Sequence, residues 1–144
     1  MRTRQIGQFG VSAIGDVRGA LVQDEKKLVH YYRMLDAGQL PVARGYQRNA
    51  DDEVRRDIIH TLMCNFVLDR KTIEDAHGIV FAEYLRDSLA KLQPFVADGM
   101  CQIDGDSVRA IGLGQVFVRN LAMCFDAHLE PKLQSSDPVF SRTV

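Results

Sequence analysis

The dipeptide Asp104–Gly105, within CQIDGDSVRA, places the tightest constraint on how this sequence can fold. Short apolar runs flank it, and aspartate followed by glycine supplies the positive φ angles that a two-residue hairpin turn requires. The segment therefore predicts two short antiparallel strands joined by a tight turn. A single amphipathic helix over GQVFVRNLAMCFDAHL, residues 114–129, is predicted to follow directly.

Closely spaced helices are predicted upstream of this hairpin. Asn49 or Asp51 can cap a helix that ends near Val67. The apolar stripe of that helix consists of Val54, Ile58, Ile59, Leu62, Met63 and Phe66. A short helix over 70–77 is predicted to stop at Gly78.

A longer helix is predicted to start near Val80, to bend or end at Pro94 and to be closed by Gly99. Its inward-facing residues are Phe81, Tyr84, Leu85, Leu89 and Leu92. Three helices, a hairpin and a fourth helix resemble a winged-helix-like arrangement. The predicted fold class is therefore mainly α, of the α+β type.

The N-terminal third has a different pattern. IGQFGVSAIGDV, residues 6–17, is short, apolar and rich in small residues, which predicts a buried strand or a tight loop beside one. Asp24 can cap a helix that runs to about Ala37, and QLPVARGY then forms an extended connector. The sequence is thus predicted to divide into residues 1–47 and a helical domain over residues 48–144.

Composition and charge limit the function classes. The 144 residues are 46% hydrophobic and 26% charged, which is typical of a folded domain. A net charge of -1 lacks the basic surplus of nucleic-acid binders. Neither a long apolar run nor a signal-peptide pattern is found in the sequence. We therefore expect a cytoplasmic chain with no nucleic-acid or membrane partner.

Three widely spaced cysteines favour free thiols over a disulfide framework. His60 and Cys64 share a helical face, but two ligands do not complete a metal site. Cys64 is predicted on the flank of its helix. Helical geometry places Cys124 on the core side of the last helix, with Leu113, Phe117 and Leu121. Because motifs such as GxSxG and HExxH are also absent, neither a metal site nor a catalytic residue is predicted.

Several separated blocks, in the same order, resemble the C-terminal region of oxygen-independent coproporphyrinogen III oxidases. They are DDEVRRDIIHTLMCNFVLD, FVADGMCQIDGDSVRAIGLGQVFVRNLAMCFDAHL and the terminal FSRTV. Upstream, FGVSAIGDV and QDEKKLVHYYRMLDAGQLPVARGY are similar to the stretch of that family that leaves the catalytic barrel. The resemblance implies that residues 1–47 hold a strand and a helix from the end of a TIM-like partial barrel.

The family that the chain resembles consists of radical S-adenosylmethionine enzymes. They decarboxylate two propionates of coproporphyrinogen III to give protoporphyrinogen IX, using S-adenosylmethionine and a [4Fe-4S] cluster held by a CxxxCxxC motif. This sequence has no CxxxCxxC, and its cysteines are 23 or more residues apart. Since thiolates hold such clusters, we expect neither cofactor in this chain and no activity from it alone.

The resemblance also implies candidate site residues. Ile14 matches an isoleucine that lies beside S-adenosylmethionine in a complete barrel. The substrate carries four carboxylates, and Arg119 and Arg142 lie in matching motifs, where a guanidinium can pair with a carboxylate.

Two functions remain open at this point. The chain is either the C-terminal portion of such an oxidase, covering the active site and helping to hold substrate, or a stand-alone winged-helix-like module that binds protein or DNA. In the second case the helix from Glu83 to Lys91 would enter the major groove, although its charges cancel. Residues 1–47 would expose a strand edge through which two copies can associate.

Overall fold

The structure, a computed structural model, describes residue 7 and residues 9–17 and 19–129. This part of the chain is a mixed α/β protein with seven helices and two small sheets. The chain divides into two compact units after Glu53. None of the described helices is both long enough and apolar enough to cross a membrane.

The first unit contains a three-stranded antiparallel sheet and a helix. In chain order its elements are β1 (Ile14–Val17), β2 (Ala20–Asp24), α1 (Leu28–Asp36) and β3 (Val42–Gln47). The sheet order is β1-β2-β3, so both neighbours in the chain pair with β2. Gly19 has a φ of 81° in the turn between β1 and β2, a conformation that glycine adopts without strain.

The strand predicted within residues 6–17 forms as β1, but this region contains more strands than predicted. Two further strands form, and the predicted connector over QLPVARGY contains most of β3. The helix begins at Leu28 rather than after Asp24, because Asp24 still pairs with Val42 as the last residue of β2. Nor is β1 buried, since Ile14 is 51% exposed. The strands are antiparallel, whereas those of a TIM-like barrel are parallel.

Asn49 caps the helix α2 (Ala50–Asn65). Its side-chain oxygen accepts a hydrogen bond from the backbone N–H of Asp52, and the Asp52 carboxylate accepts one from the backbone N–H of Asn49. This reciprocal arrangement satisfies two backbone donors at the start of the helix. Of the two predicted caps, Asn49 is therefore the one that the structure contains.

The second unit continues from α2 with three more helices, a sheet and a final helical pair. Its further elements are β4 (Val67–Asp69), α3 (Arg70–His77), α4 (Phe81–Tyr84), α5 (Arg86–Ala97), β5 (Cys101–Ile103), β6 (Ser107–Ala110), α6 (Leu113–Val116) and α7 (Val118–Met123). The strands form an antiparallel sheet in the order β4-β6-β5, so the central strand is β6.

The core of the second unit combines the apolar faces of α2, α4, α5 and α7 with the inner face of the sheet. Its fully enclosed side chains include Ile58, Leu62, Leu68, Phe81, Leu92, Val108, Leu121 and Phe125. Three residues that were predicted to face inward, Met63, Phe66 and Tyr84, are exposed. Phe66 leaves the helical stripe because α2 ends at Asn65 and its own φ is 60°.

Helix α3 begins and ends as predicted. The Asp69 carboxylate accepts a hydrogen bond from the backbone N–H of Thr72 at 2.7 Å, and hydrogen bonding to Thr72 lowers the pKa of Asp69. Gly78 then adopts a left-handed conformation with φ of 65°, and its N–H donates to the Glu74 carbonyl. Gly78 is thus the predicted C-terminal stop, whereas the N-terminal cap, Asp69, was not predicted.

The long helix predicted from Val80 is divided into α4 and α5. Leu85, with φ of -110°, separates the two. The helix does not end at Pro94, because α5 contains Pro94 and continues to Ala97.

The predicted hairpin forms, but its turn is built differently. Ile103 of β5 lies opposite Val108 of β6. The Asp104 carboxylate accepts hydrogen bonds from the backbone N–H groups of Asp106 and Ser107, and these bonds lower the pKa of Asp104. Gly105 is not among the residues with positive φ. A carboxylate, rather than the conformational freedom of glycine, therefore holds the turn.

The single helix predicted over residues 114–129 is also two short helices. Phe117, with φ of -96° and ψ of 22°, separates α6 from α7, and α7 ends at Met123. This break explains why Leu113 and Phe117, which were predicted to face the core, are 63% and 46% exposed, whereas Leu121 is buried. A helical angle computed across the break does not apply on its far side.

Gly114 marks the closest approach of α6 to the hairpin. Gly114 is buried, and a Cβ atom at this position would overlap the carbonyl group of Met100. The same carbonyl accepts a hydrogen bond from the Ile111 N–H at 3.0 Å, so it is held in place. Only glycine fits between these two backbone segments.

We expect the substitution Gly114→Ala to lower the free energy of unfolding by at least about 2 kcal/mol, because the added methyl group must displace backbone rather than a flexible side chain. Urea denaturation followed by circular dichroism measures this change. Gly105→Ala is the matched control, since a Cβ there meets no atom within 4 Å. Equal stabilities of the two variants would contradict the close approach.

Candidate functional site

The structure places two of the three predicted site residues. Ile14 opens β1 in the first unit, opposite Gln23 of β2. Arg119 lies on α7 in the second unit and is exposed, next to the buried Val118. Arg142 lies outside the described residues.

Arg119 differs from the other arginines around the second sheet. Arg109 donates from Nε to the Ser107 hydroxyl at 2.9 Å. Arg70 donates to the Gly105 carbonyl, and its guanidinium lies 5.5 Å from the centre of the Phe81 ring. Among the residues that the structure describes, the side chain of Arg119 has neither a hydrogen bond nor an ion pair. Its exposed guanidinium is suited to an anion from outside this part of the chain.

Arg48 forms the most enclosed charged cluster of the first unit. Its Nη1 lies 2.8 Å from Oδ1 of Asp16 on β1, and its Nε lies 2.7 Å from Oε1 of Glu53 on α2. Burial acts to lower the pKa of Arg48, but its hydrogen bonds with Glu53 and Asp16 outweigh this effect and raise it. Because two carboxylates already neutralise it, Arg48 is a structural residue. Glu53 is close to Arg48 in sequence but Asp16 is distant from it, so no local pattern reveals the whole cluster.

The three thiols have different environments. Cys64 is exposed on α2, with its Sγ 3.7 Å from Nε2 of His60. Cys101 is buried on β5, where burial, with a smaller effect from Cys124, raises its pKa to about 11. Cys124 is half-buried against the core, and its thiol lies 3.6 Å from the Asn120 carbonyl. The predicted positions of Cys124 on the core side and of Cys64 on the flank are confirmed.

These thiols do not fit a [4Fe-4S] cluster. Such a cluster needs thiolates that converge on one point, whereas Cys101 is buried with a raised pKa and Cys64 is exposed on a helix surface. Within the described ranges, no group of three or more histidine, cysteine, aspartate or glutamate side chains could hold a metal ion. His60 and Cys64 supply two neighbouring donors, half of a tetrahedral set.

An exposed apolar surface on and around α6 is the feature that the sequence did not predict. We call it the α6 surface, and it consists of Ile111, Leu113, Val116 and Phe117. Val116 is 75% exposed. Four large apolar side chains are thus exposed within seven residues of sequence, whereas single scattered exposed residues are normal on a protein surface.

We expect Cys64 to be the fast-reacting thiol of the folded chain at pH 8, because it is exposed while the pKa of Cys101 is raised to about 11. Timed labelling with iodoacetamide and mass spectrometry measures this difference. Cys64→Ser should remove the fast phase, and Cys101→Ser should leave it unchanged. Rapid labelling of Cys101 without denaturant would contradict its buried position.

We expect Arg48→Gln to destabilise the first unit by about 3–5 kcal/mol, because it removes an enclosed cation that lies 2.8 Å from the Asp16 carboxylate. Hydrogen exchange of the β1 and β2 amides measures this loss. Arg44→Gln is the control, since Arg44 is exposed and, within the part of the chain that the structure describes, its side chain bonds the neutral Gln23 side chain at 2.7 Å. Unchanged protection in Arg48→Gln would show that the cluster does not hold the sheet.

Comparisons with known proteins give one consistent result. Residues 49–117 match the HemN C-terminal domain family. Over 136 residues the chain is 37% identical to the oxygen-independent coproporphyrinogen III oxidase of Salmonella typhimurium and 36% identical to that of Escherichia coli K12. Each alignment covers 94% of this chain and 29% of the relative.

A solved structure agrees with these matches. The coproporphyrinogen III oxidase (HemN) from Escherichia coli, described as a radical SAM enzyme, superposes with a TM-score of 0.84 at 34% identity. The superposition covers 90% of this chain and 30% of that chain, so the chain spans about a third of the length of the relatives it matches. Through residues 49–117, which match the HemN C-terminal domain family, the chain is homologous to the part of the oxygen-independent coproporphyrinogen III oxidases that includes this C-terminal domain.

Proposed function

We propose that this chain acts as the C-terminal region of an oxygen-independent coproporphyrinogen III oxidase, where it covers the active site of the barrel and helps to hold coproporphyrinogen III. The proposal is carried by the match to the solved Escherichia coli enzyme, which has 34% identity over 90% of this chain. The whole enzyme would oxidatively decarboxylate two propionates of the substrate to vinyl groups, giving protoporphyrinogen IX for haem synthesis.

The chain by itself has no means of generating the radical. The family uses a [4Fe-4S] cluster and S-adenosylmethionine, and the sequence has no CxxxCxxC to hold that cluster. The environments of Cys64 and Cys101 are unsuited to replace it. We therefore propose that the chain alone is inactive and that it contributes binding and enclosure to a catalytic barrel.

Three residues carry the proposed contacts. Ile14 would lie beside S-adenosylmethionine once the other barrel strands are present. Arg119 and Arg142 would pair with substrate carboxylates. The exposure of Arg119 and its lack of an ion pair within the described part of the chain support this role for it.

The element order of the second unit supports a winged-helix-like description. α2, β4, α3 and the α4–α5 pair precede the β5–β6 hairpin, and β6 lies between β4 and β5. In a stand-alone DNA-binding module, α5 would be the recognition helix. Its exposed charges are Arg86, Asp87 and Lys91, which give little positive surplus for binding phosphates. Charge therefore favours the oxidase role over this alternative.

Self-association through residues 1–47 is a further part of the proposal. β1 and β3 are the two edges of the first sheet, and all six residues of β3 are exposed. An edge strand offers unpaired backbone donors and acceptors to a second copy.

The free thiols Cys64, Cys101 and Cys124 fit the reducing conditions of the cytoplasm.

The experiment is an exchange of domains. The matching C-terminal region of the Escherichia coli oxidase is replaced by this chain, and anaerobic conversion of coproporphyrinogen III is measured. We expect the hybrid to be active, while this chain alone and an Escherichia coli enzyme lacking the region are inactive.

Two results would refute the proposal. A hybrid that retains its iron-sulfur absorbance but does not convert substrate would refute the shared C-terminal role. An iron-sulfur spectrum with stoichiometric iron from this chain alone would refute its proposed dependence on the barrel.

A further inference from the structure

We propose that the α6 surface is a binding site for the apolar face of a carboxylate-bearing tetrapyrrole, with Arg119 and Arg109 pairing with its carboxylates. The inference rests on the proposed function, from which it takes the class of ligand. It goes further by naming the surface of the C-terminal domain that would contact the ring.

The apolar character of this surface is the first observation. Leu113 and Val116 are 63% and 75% exposed, and Phe117 and Ile111 extend the patch on either side. Removing apolar side chains from water against an apolar ring is favourable in free energy. A tetrapyrrole offers such a ring, and its propionates leave the ring at the edges.

Charge is the second observation, and it selects a ligand with carboxylates. Between Asp106 and Asp126 the sequence has no acidic residue, but it contains Arg119, and Arg109, which also interacts with the Asp104 carboxylate in the hairpin turn. Both arginines are exposed, one on the strand that leads into α6 and the other on the helix that follows it. Apolar residues flanked by cations complement an apolar ring that carries anions at its edge.

The rigidity of the backbone beneath the surface is the third observation. The Ile111 N–H donates to the Met100 carbonyl, and the Phe117 N–H donates to the Leu113 carbonyl. Gly114 is in contact with Met100, so α6 is fixed against the hairpin. A surface whose backbone is already ordered loses less entropy when it binds a ligand.

Fluorescence titration of the full 144-residue chain with coproporphyrin III tests this site. This stable, fluorescent tetracarboxylate is the aromatic form of the substrate ring. We expect Val116→Glu to raise its Kd by about tenfold or more, because the substitution removes apolar contact and adds a like charge. Leu40→Glu is the matched control, since Leu40 is 80% exposed and lies in the first unit, and it should leave the Kd unchanged.

A second comparison separates the role of the arginines from that of the apolar side chains. Arg119→Gln should weaken the binding of coproporphyrin III and leave unchanged the binding of an octaalkyl porphyrin without carboxylates. Circular dichroism verifies that each variant is folded. Equal effects of Val116→Glu and Leu40→Glu, or no measurable binding by the unchanged chain, would overturn the proposed site.

The hybrid oxidase distinguishes this inference from the proposed function. An inactive hybrid carrying the unchanged chain would count against the function. An active hybrid whose KM for coproporphyrinogen III is unaffected by Val116→Glu would refute the site alone. If Val116→Glu raises the KM of the hybrid at least tenfold and leaves its iron-sulfur absorbance intact, the site is supported. If Val116→Glu abolishes that absorbance, the α6 surface packs against protein and the proposed site is overturned.

Discussion

The architecture of the second unit depends on the contact between Gly114 and the carbonyl group of Met100. Directly after β6, the Ile111 N–H donates a hydrogen bond to that carbonyl. Helix α6 must therefore begin close to the backbone segment that leads into the hairpin. Two changes of direction then become necessary, at Gly112 with φ of 52° and at Phe117. The apolar residues between these turns consequently face outward, while α7 returns Leu121 to the core.

Sequence patterns predicted the parts of the fold that local interactions determine. Gly78 marks the end of α3, and the apolar repeat of α2 identifies core residues such as Ile58 and Leu62. The patterns failed where contacts between distant segments decide the conformation. Nothing close to Phe117 in the sequence signals a helix break, and β2 and β3 carry no strong turn signal between them because α1 intervenes.

The candidate site shows the same division. The placement of Cys124 against the core and of Cys64 on a flank follows from helical spacing, and both were predicted. The Arg48 cluster could not be predicted in this way, because it joins Asp16 of β1 and Glu53 of α2 to an arginine that follows β3. The α6 surface was also missed, since an unbroken helix would have turned Leu113 and Phe117 inward. Resemblance to a family thus identified a relationship that the residue chemistry of this chain does not reveal.

The hairpin turn between β5 and β6 has a consequence for how this sequence can vary. Because the Asp104 carboxylate bonds two backbone N–H groups, the turn depends on a side chain that few residues can imitate. Gly105, by contrast, has neither a positive φ nor a neighbour that a methyl group would strike. Substitutions should therefore be tolerated at position 105 and disfavoured at position 104. In an aspartate-glycine turn that requires positive φ angles, the glycine would be the residue that cannot be replaced.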